Sequence, residues 1–342
     1  MDESLLVDKW LEYKAHNQGR AAYTIYYYRL IVLKLRAFLL ERDQTLLSAT
    51  AETLEDYTGR HLHAQGMRPI SRRAPVAAIR GFYGWLKMRR LVDADPTACL
   101  TPPKAATPLP RAMGMADAEK LLMQPGIKTF VGVRDTAMIS VLIGCGCRVS
   151  GLVNLNELDL FWTVSPTGTE RLDIRFREKG KNERLVPAPL ETSLMIRAYL
   201  GHPELDHIDR NLPKGDKVLF VTTHRGSHKP HDYFGEARRM GTRWFHQKIR
   251  DYGELAGIPK PVCHPHALRH LYGAELAEED VDLIQRQALL GHKQPSTTAI
   301  YTQLATRKLR ETVDKANPMR KMQRGPAHGL AQRLRSQPSF GR

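Results

Sequence analysis

The sequence predicts a mainly α-helical chain of two domains, the second carrying a small antiparallel β-sheet. Three observations lead there. Apolar residues recur at spacings of three and four through the first ninety or so residues. A proline-rich stretch, DPTACLTPPKAATPLPRAM at 95–113, then breaks any helix and favours an extended connector. Beyond it helical patterns resume, but RLDIRFR alternates Leu172, Ile174 and Phe176 with charged residues, the period of a half-buried strand.

The N-terminal domain, residues 1–95, rests on two strong patterns. In TIYYYRLIVLKLRAFLLER the residues Ile25, Tyr28, Val32, Leu35 and Leu39 form one apolar stripe, with Arg29, Lys34 and Arg36 mostly off it. In SRRAPVAAIRGFYGWLKMRR, Val76, Ile79, Tyr83 and Leu86 do the same. The plain reading is a small bundle with solvated basic faces. The density of Arg72, Arg73, Arg80, Lys87, Arg89 and Arg90 favours a bundle whose basic faces lie on phosphates.

After the linker, residues 96–112, a second domain covers 113–318. It opens on the helix former ADAEKLLMQ. From Arg134 a helix, RDTAMISVLIG, runs into the turn GCG and then RVSGLVNL, which presents Arg148 at the start of the next helix. RLDIRFR, the turn EKGKNE and the return strand RLVPAP read as a hairpin with Lys179 at its tip. KVLFVTT reads as a further short strand, and from residue 232 onward the pattern is helical. Residues 319–342 contain no acid and little periodicity and read as a disordered basic tail.

Bulk composition narrows the partner. With 52 Lys and Arg against 36 Asp and Glu, the 342 residues carry a formal net charge of +16. The basic residues run the whole length, which points to a polyanion, nucleic acid first and an acidic membrane surface second. No stretch is long and apolar enough to span a membrane, and MDESLLVDKW does not resemble a signal peptide, so a cytoplasmic protein is expected. Four cysteines, Cys99, Cys145, Cys147 and Cys263, are too few and too irregular for a disulfide framework.

Individually the remaining polar residues are unremarkable; together they suit one chemistry. In HPHALRH, residues 264–270, His266 and Arg269 are i and i+3 and share a helix face. His292 ends LGH, and Tyr301 follows in STTAIYTQL. Attack on a phosphodiester builds negative charge on the non-bridging oxygens. Two guanidiniums clamp those oxygens, a lysine on a hairpin tip can protonate the departing 5′ oxygen, and a histidine can exchange a proton with the nucleophile. Tyrosine ionises near pH 10 and needs such cationic surroundings to act as that nucleophile. No metal, cofactor or ATP is required. A zinc site from Cys263, His264, His266 and His270 has poor tetrahedral reach within one turn.

These strings, GCGCRVSGL, EKGKNERLVP, HPHALRH, LLGH and STTAIYTQL, resemble in order and spacing the pattern of the tyrosine recombinases of the phage-integrase family, Xer-like in form. The N-terminal part, through ADPTACLTPPK, resembles that family's helical core-binding domain, so the resemblance runs to about residue 318. It implies Tyr301 as nucleophile, Arg148 and Arg269 as phosphate clamp, Lys179 as general acid, His266 in proton transfer and His292 steadying the phosphate. Two departures stand out. Gly151 replaces the acid the family usually has three residues after the first arginine, with Glu157 a candidate substitute, and the hairpin's KGKN leaves Lys181 as an alternative to Lys179.

The resemblance implies site-specific recombination of double-stranded DNA through a 3′-phosphotyrosine and a Holliday junction, by a homotetramer on two sites. It admits an accessory DNA-bending protein or partner recombinase, and the length and basic tail lean towards a mobile element. The alternatives are a type IB-like topoisomerase and a catalytically impaired DNA-binding protein of the same fold. The amphipathic segment after Tyr301, with Leu304, Leu309 and Val313 against Arg307, Lys308 and Arg310, suits an arm that docks on a neighbouring subunit and so favours the recombinase.

Overall fold

The computed structural model describes residues 2–104, 109–164, 168, 170–178 and 182–291. The chain forms two compact units that divide between Pro108 and Leu109.

The first unit is helical: α1 (Glu3–His16), α2 (Ala22–Leu40), α3 (Ala51–Asp56), α4 (Leu62–Ala64) and α5 (Pro69–Met88), with one π-helical turn, Tyr57–His61, joining α3 to α4. Local chemistry sets the starts. The Asp2 carboxylate caps α1 by accepting from the Ser4 amide, and Thr50 caps α3. Pro69 opens α5, where its missing N–H costs nothing. The anticipated stripes face inward: Val32, Leu35 and Leu39 meet Val76, Ile79, Tyr83 and Leu86 in one core. Trp10 is its centre. Its ring stacks on Tyr28 and meets the edge of Phe82, and its Nε1 donates to the Gly81 carbonyl at 3.1 Å. Leu100 packs into this core, and Arg73 Nε donates to the Pro103 carbonyl, so the start of the proline-rich stretch lies on the helical unit.

The second unit holds α6 (Met115–Met123), α7 (Phe130–Cys145), α8 (Val149–Val153), β1 (Leu160–Val164), β2 (Glu170–Glu178), β3 (Asn182–Pro187), α9 (Leu190–Leu200), α10 (Pro203–Asp206), α11 (Thr242–Leu255), α12 (Pro265–Glu278) and α13 (Leu283–Leu290). The sheet is antiparallel in the order β1-β2-β3. Leu172, Ile174 and Phe176 alternate into the core, as their period requires, and Val186 joins them from β3. Helix α7 is buried along nearly its whole length because it is apolar all round. It carries a buried ion pair, Arg134–Asp135 at 2.7 Å. Arg134 also donates to the Val221 carbonyl, and the Tyr252 hydroxyl of α11 donates to Asp135 Oδ2 at 2.7 Å, so each charge has a partner beyond the pair itself.

Three sequence expectations are revised. Strand β1 was not anticipated. KVLFVTT forms isolated bridges rather than a strand, through Lys217, Val218 and Val221. Side chains take its carbonyls instead: Arg210 bonds Val218 O, Tyr199 bonds Leu219 O, and Arg134 bonds Val221 O. The helical region after 232 begins with short 3-10 turns, and α11 starts only at Thr242. Among the described residues no helix is long and apolar enough to cross a membrane.

Candidate active site

The site is built where α7 ends. Gly146 closes that helix in the left-handed region, at φ 55° and ψ 30°. A Cβ there would lie 2.1 Å from Cδ1 of the Tyr272 ring, so conformation and space both demand glycine. Cys147 then turns inward, and Arg148, with extended backbone, caps α8. Burial drives both neighbouring thiols up, Cys147 to about 12 and Cys145 further, so both stay protonated packing groups.

Helix α12 meets this turn. His264 caps it, its Nδ1 accepting from the Ala267 amide at 3.0 Å, and Pro265 fills the first position. One turn on, Arg269 is only 3% exposed. Its Nη1 donates to the Gly146 carbonyl at 2.6 Å, and its Nη2 donates to the carbonyl of Leu290, the last residue of α13. One guanidinium thus ties together the Arg148 turn, α12 and the end of α13. His266 stands one turn before Arg269. The residue is exposed, yet partial desolvation of the ring, followed by the positive charge of Arg269, His264 and Arg148, holds its pKa below the ordinary histidine value. Held neutral beside two arginines, the imidazole keeps a free lone pair with which to accept a proton.

The structure therefore brings Arg148, Arg269 and His266 together. Lys179, its alternative Lys181, His292, Tyr301, the arm after Tyr301 and the basic tail lie outside the described residues. Their flanks are placed: β2 and β3 pair as far as Glu178 and Asn182, and Gly291, in the left-handed region at φ 63°, closes α13.

The phage integrase family matches residues 115–308, and the phage integrase N-terminal SAM-like domain matches residues 7–90. The chain is 31% identical to tyrosine recombinase XerD of Pseudomonas putida over 306 residues, 90% of this chain and 95% of that one.

The chain belongs to the phage integrase family.

It is a tyrosine recombinase by type. It is also 29% identical to tyrosine recombinase XerC of Myxococcus xanthus over 318 residues, covering 92% of this chain and 98% of the relative. Its fold resembles that of XerH site-specific recombinase bound to a palindromic difH substrate, with a TM-score of 0.66 at 17% identity over 84% of this chain and 78% of that one. It also resembles a lambda integrase tetramer bound to a Holliday junction, with a TM-score of 0.62 at 12% identity over 88% and 77%.

Beside this cluster, Arg184 was not singled out from sequence, and His270 was weighed only as a zinc ligand. Arg184 looks like an ordinary outward charge on β3, yet it is largely buried, its guanidinium 5.4 Å over the Phe176 ring, and burial lowers its pKa. His270 stacks against His266 with ring centres 6.3 Å apart, and burial and its charged neighbours push it to about 4. The HPHALRH spacing also puts it beside His266, since 266 and 270 share a helix face. The proposed substitute for the family's acid is otherwise engaged: Glu157 accepts from Arg210 at 2.5 Å. The zinc reading also meets other bonds, for His264 Nδ1 holds the Ala267 amide and the Cys263 thiol donates to the Ile258 carbonyl.

Proposed function

We propose that this chain cuts, exchanges and rejoins duplex DNA at specific sites, with Tyr301 as nucleophile. The tyrosine oxygen bonds to the scissile phosphorus while its proton passes to neutral His266. The bond from phosphorus to the 5′ oxygen breaks, and that oxygen takes a proton from Lys179 or Lys181. Arg148 and Arg269 hold the non-bridging oxygens, where charge accumulates. The 3′-phosphotyrosine keeps the energy of the broken bond, so the 5′-hydroxyl of a partner strand can displace the tyrosine without ATP. Two rounds through a Holliday junction complete the exchange, in a tetramer on two sites.

The observation that carries this reading is the pair of hydrogen bonds that Arg269 donates to the Gly146 and Leu290 carbonyls. The pair ties α12, which carries His266, to the turn before Arg148 and to the end of α13, the arrangement this chemistry needs. The surface supports a DNA partner. On α5, Arg73, Arg80 and Lys87 repeat every seven residues with Ala74, Ala77 and Gly84 between them, a cationic face low enough for close approach to phosphates. On α11, the exposed Arg243, Gln247 and Arg250 share one face, and these are side chains able to read guanine and adenine edges in a major groove.

The test is a covalent adduct. Purified protein is mixed in EDTA with nicked duplexes taken from the DNA flanking its own gene and run on a denaturing gel. An adduct that survives EDTA and vanishes in Tyr301→Phe is expected; strand exchange between two such duplexes then separates recombinase from topoisomerase. Tight retention of the DNA without an adduct would refute the catalytic reading and leave a binding protein.

A further inference from the structure

Helix α2 has a second apolar row. While Ile31, Val32, Leu35, Phe38 and Leu39 fill the core, Tyr23, Tyr26, Leu30 and Leu33 face water, at 77%, 58%, 37% and 38% exposure. Steps of three, four and three put these four on one line down the helix, about 15 Å long. A contiguous apolar row rimmed by charge marks a surface that meets something. The rim here is cationic on both sides. Arg29 and Lys34 lie about 70° round the helix to either side of the row, and both are exposed. Arg29 shares the half-exposed Asp8.

That rim sorts the occupants. A second copy would set like charges against each other. A helix lying in a membrane surface buries a broad apolar face, whereas here the broad face of α2 is already the core of its unit. The major groove of DNA matches on each count. It is about 12 Å wide and admits one helix, its edges are phosphates that would meet Arg29 and Lys34, and its floor carries the apolar 5-methyl group of thymine. A row of about 15 Å spans four to five base steps at ~3.4 Å each.

We infer that α2 reads thymine methyl groups in the major groove through Tyr26, Leu30 and Leu33, making the chain selective for thymine where this helix lies. The inference rests on the DNA reading above and adds to it a specificity that arises from apolar contact rather than from hydrogen bonds.

Replacing thymine by uracil removes the methyl and nothing else that pairs or hydrogen-bonds. The full chain would first select duplexes from a randomised pool. The winners would be copied with dTTP or with dUTP, and the two copies compared by titration. Each methyl lost from an apolar contact should weaken binding about fourfold, so two should weaken it about 15-fold. Leu30→Ala/Leu33→Ala should shrink the thymine–uracil ratio towards one, and Tyr26→Ser should shrink it independently, with circular dichroism confirming both folds. Equal affinity for the two copies overturns the inference, as does a ratio that survives all these substitutions, which would place methyl reading elsewhere. Equal affinity combined with a change of sedimentation in Leu30→Glu/Leu33→Glu would assign the row to a protein partner instead. Failure to select any duplex would refute the underlying DNA reading, while selection and adduct formation without thymine preference would refute only this step.

Discussion

Replacing Gly146 by alanine should damage both stability and chemistry, and a second substitution should say why. Two costs add. The left-handed conformation at φ 55° costs an alanine about 1–2 kcal/mol. The new methyl would sit 2.1 Å from Cδ1, 2.7 Å from Cγ and 2.8 Å from Cε1 of Tyr272, so the ring or the turn must move. Overpacking of that kind costs roughly 1–3 kcal/mol more. The total, about 2–5 kcal/mol, would be read by urea unfolding, with hydrogen exchange of α7 and α8 assigning the loss to the second unit. In a Tyr272→Ala background the clash disappears and only the conformational cost remains, so the same substitution should cost about 1–2 kcal/mol there. The carbonyl of Gly146 anchors Arg269 and Arg148 lies two residues on, so a shift near 1 Å should also slow adduct formation on the order of 100-fold. A coupling between the two positions below about 0.5 kcal/mol would refute the reasoning, because it would mean that the ring does not enforce the glycine.

Other expectations follow from the same contacts. Arg269→Lys keeps the charge but cannot bridge two carbonyls; it should cost about 2–4 kcal/mol in urea unfolding, since bonds from a charged donor are worth ~1.5–3 each and a buried carbonyl is left bare. Stability should fall in acid. His270 drops from 6.5 to about 4 on folding, so its contribution is complete above pH 6.5 and disappears as pH falls from 6.5 towards 4. Allowing for solvent on a half-buried ring, the loss should be about 1–2 kcal/mol, and His270→Gln should flatten the curve of melting temperature against pH over that range. Tyr252→Phe removes one of the bonds to Asp135 and should cost about 1–3 kcal/mol by the same unfolding assay while sparing DNA retention.

The parts of the fold that could be read in the sequence are those governed by local rules. The period of α2 and α5, the alternation of β2 and the proline and capping histidine that open α12 all state their structure within a few residues. KVLFVTT misleads because its β-forming residues are real but its carbonyls answer to Arg134, Tyr199 and Arg210, which come from elsewhere in the chain. The candidate site divides in the same way. His266 and Arg269 share a helix face and announce each other. That Arg269 spends its guanidinium on backbone carbonyls 123 and 21 residues away is a long-range fact with no local trace, whereas Arg184 shares the face of Val186 and lies over Phe176 once the register of the hairpin is known.

Gly151 tests whether an acid is needed at all. It lies buried in α8, three residues after Arg148, and a Cβ there would meet Phe176 at 3.6 Å, ordinary contact with no strained backbone. Alanine should therefore fit and should stabilise the second unit by about 0.5–1 kcal/mol, because it has less freedom to lose on folding. The arginine itself is placed by backbone: its carbonyl accepts from the Leu152 amide at 3.0 Å, and the turn before it is held by Arg269. If those bonds suffice, Gly151→Ala should form adduct at a rate within about twofold of the parent, and Gly151→Glu should bring no gain. A tenfold rise in Gly151→Glu, about 1.4 kcal/mol of transition-state stabilisation, would show that backbone placement leaves Arg148 too loose and that the carboxylate is a missing part of the site.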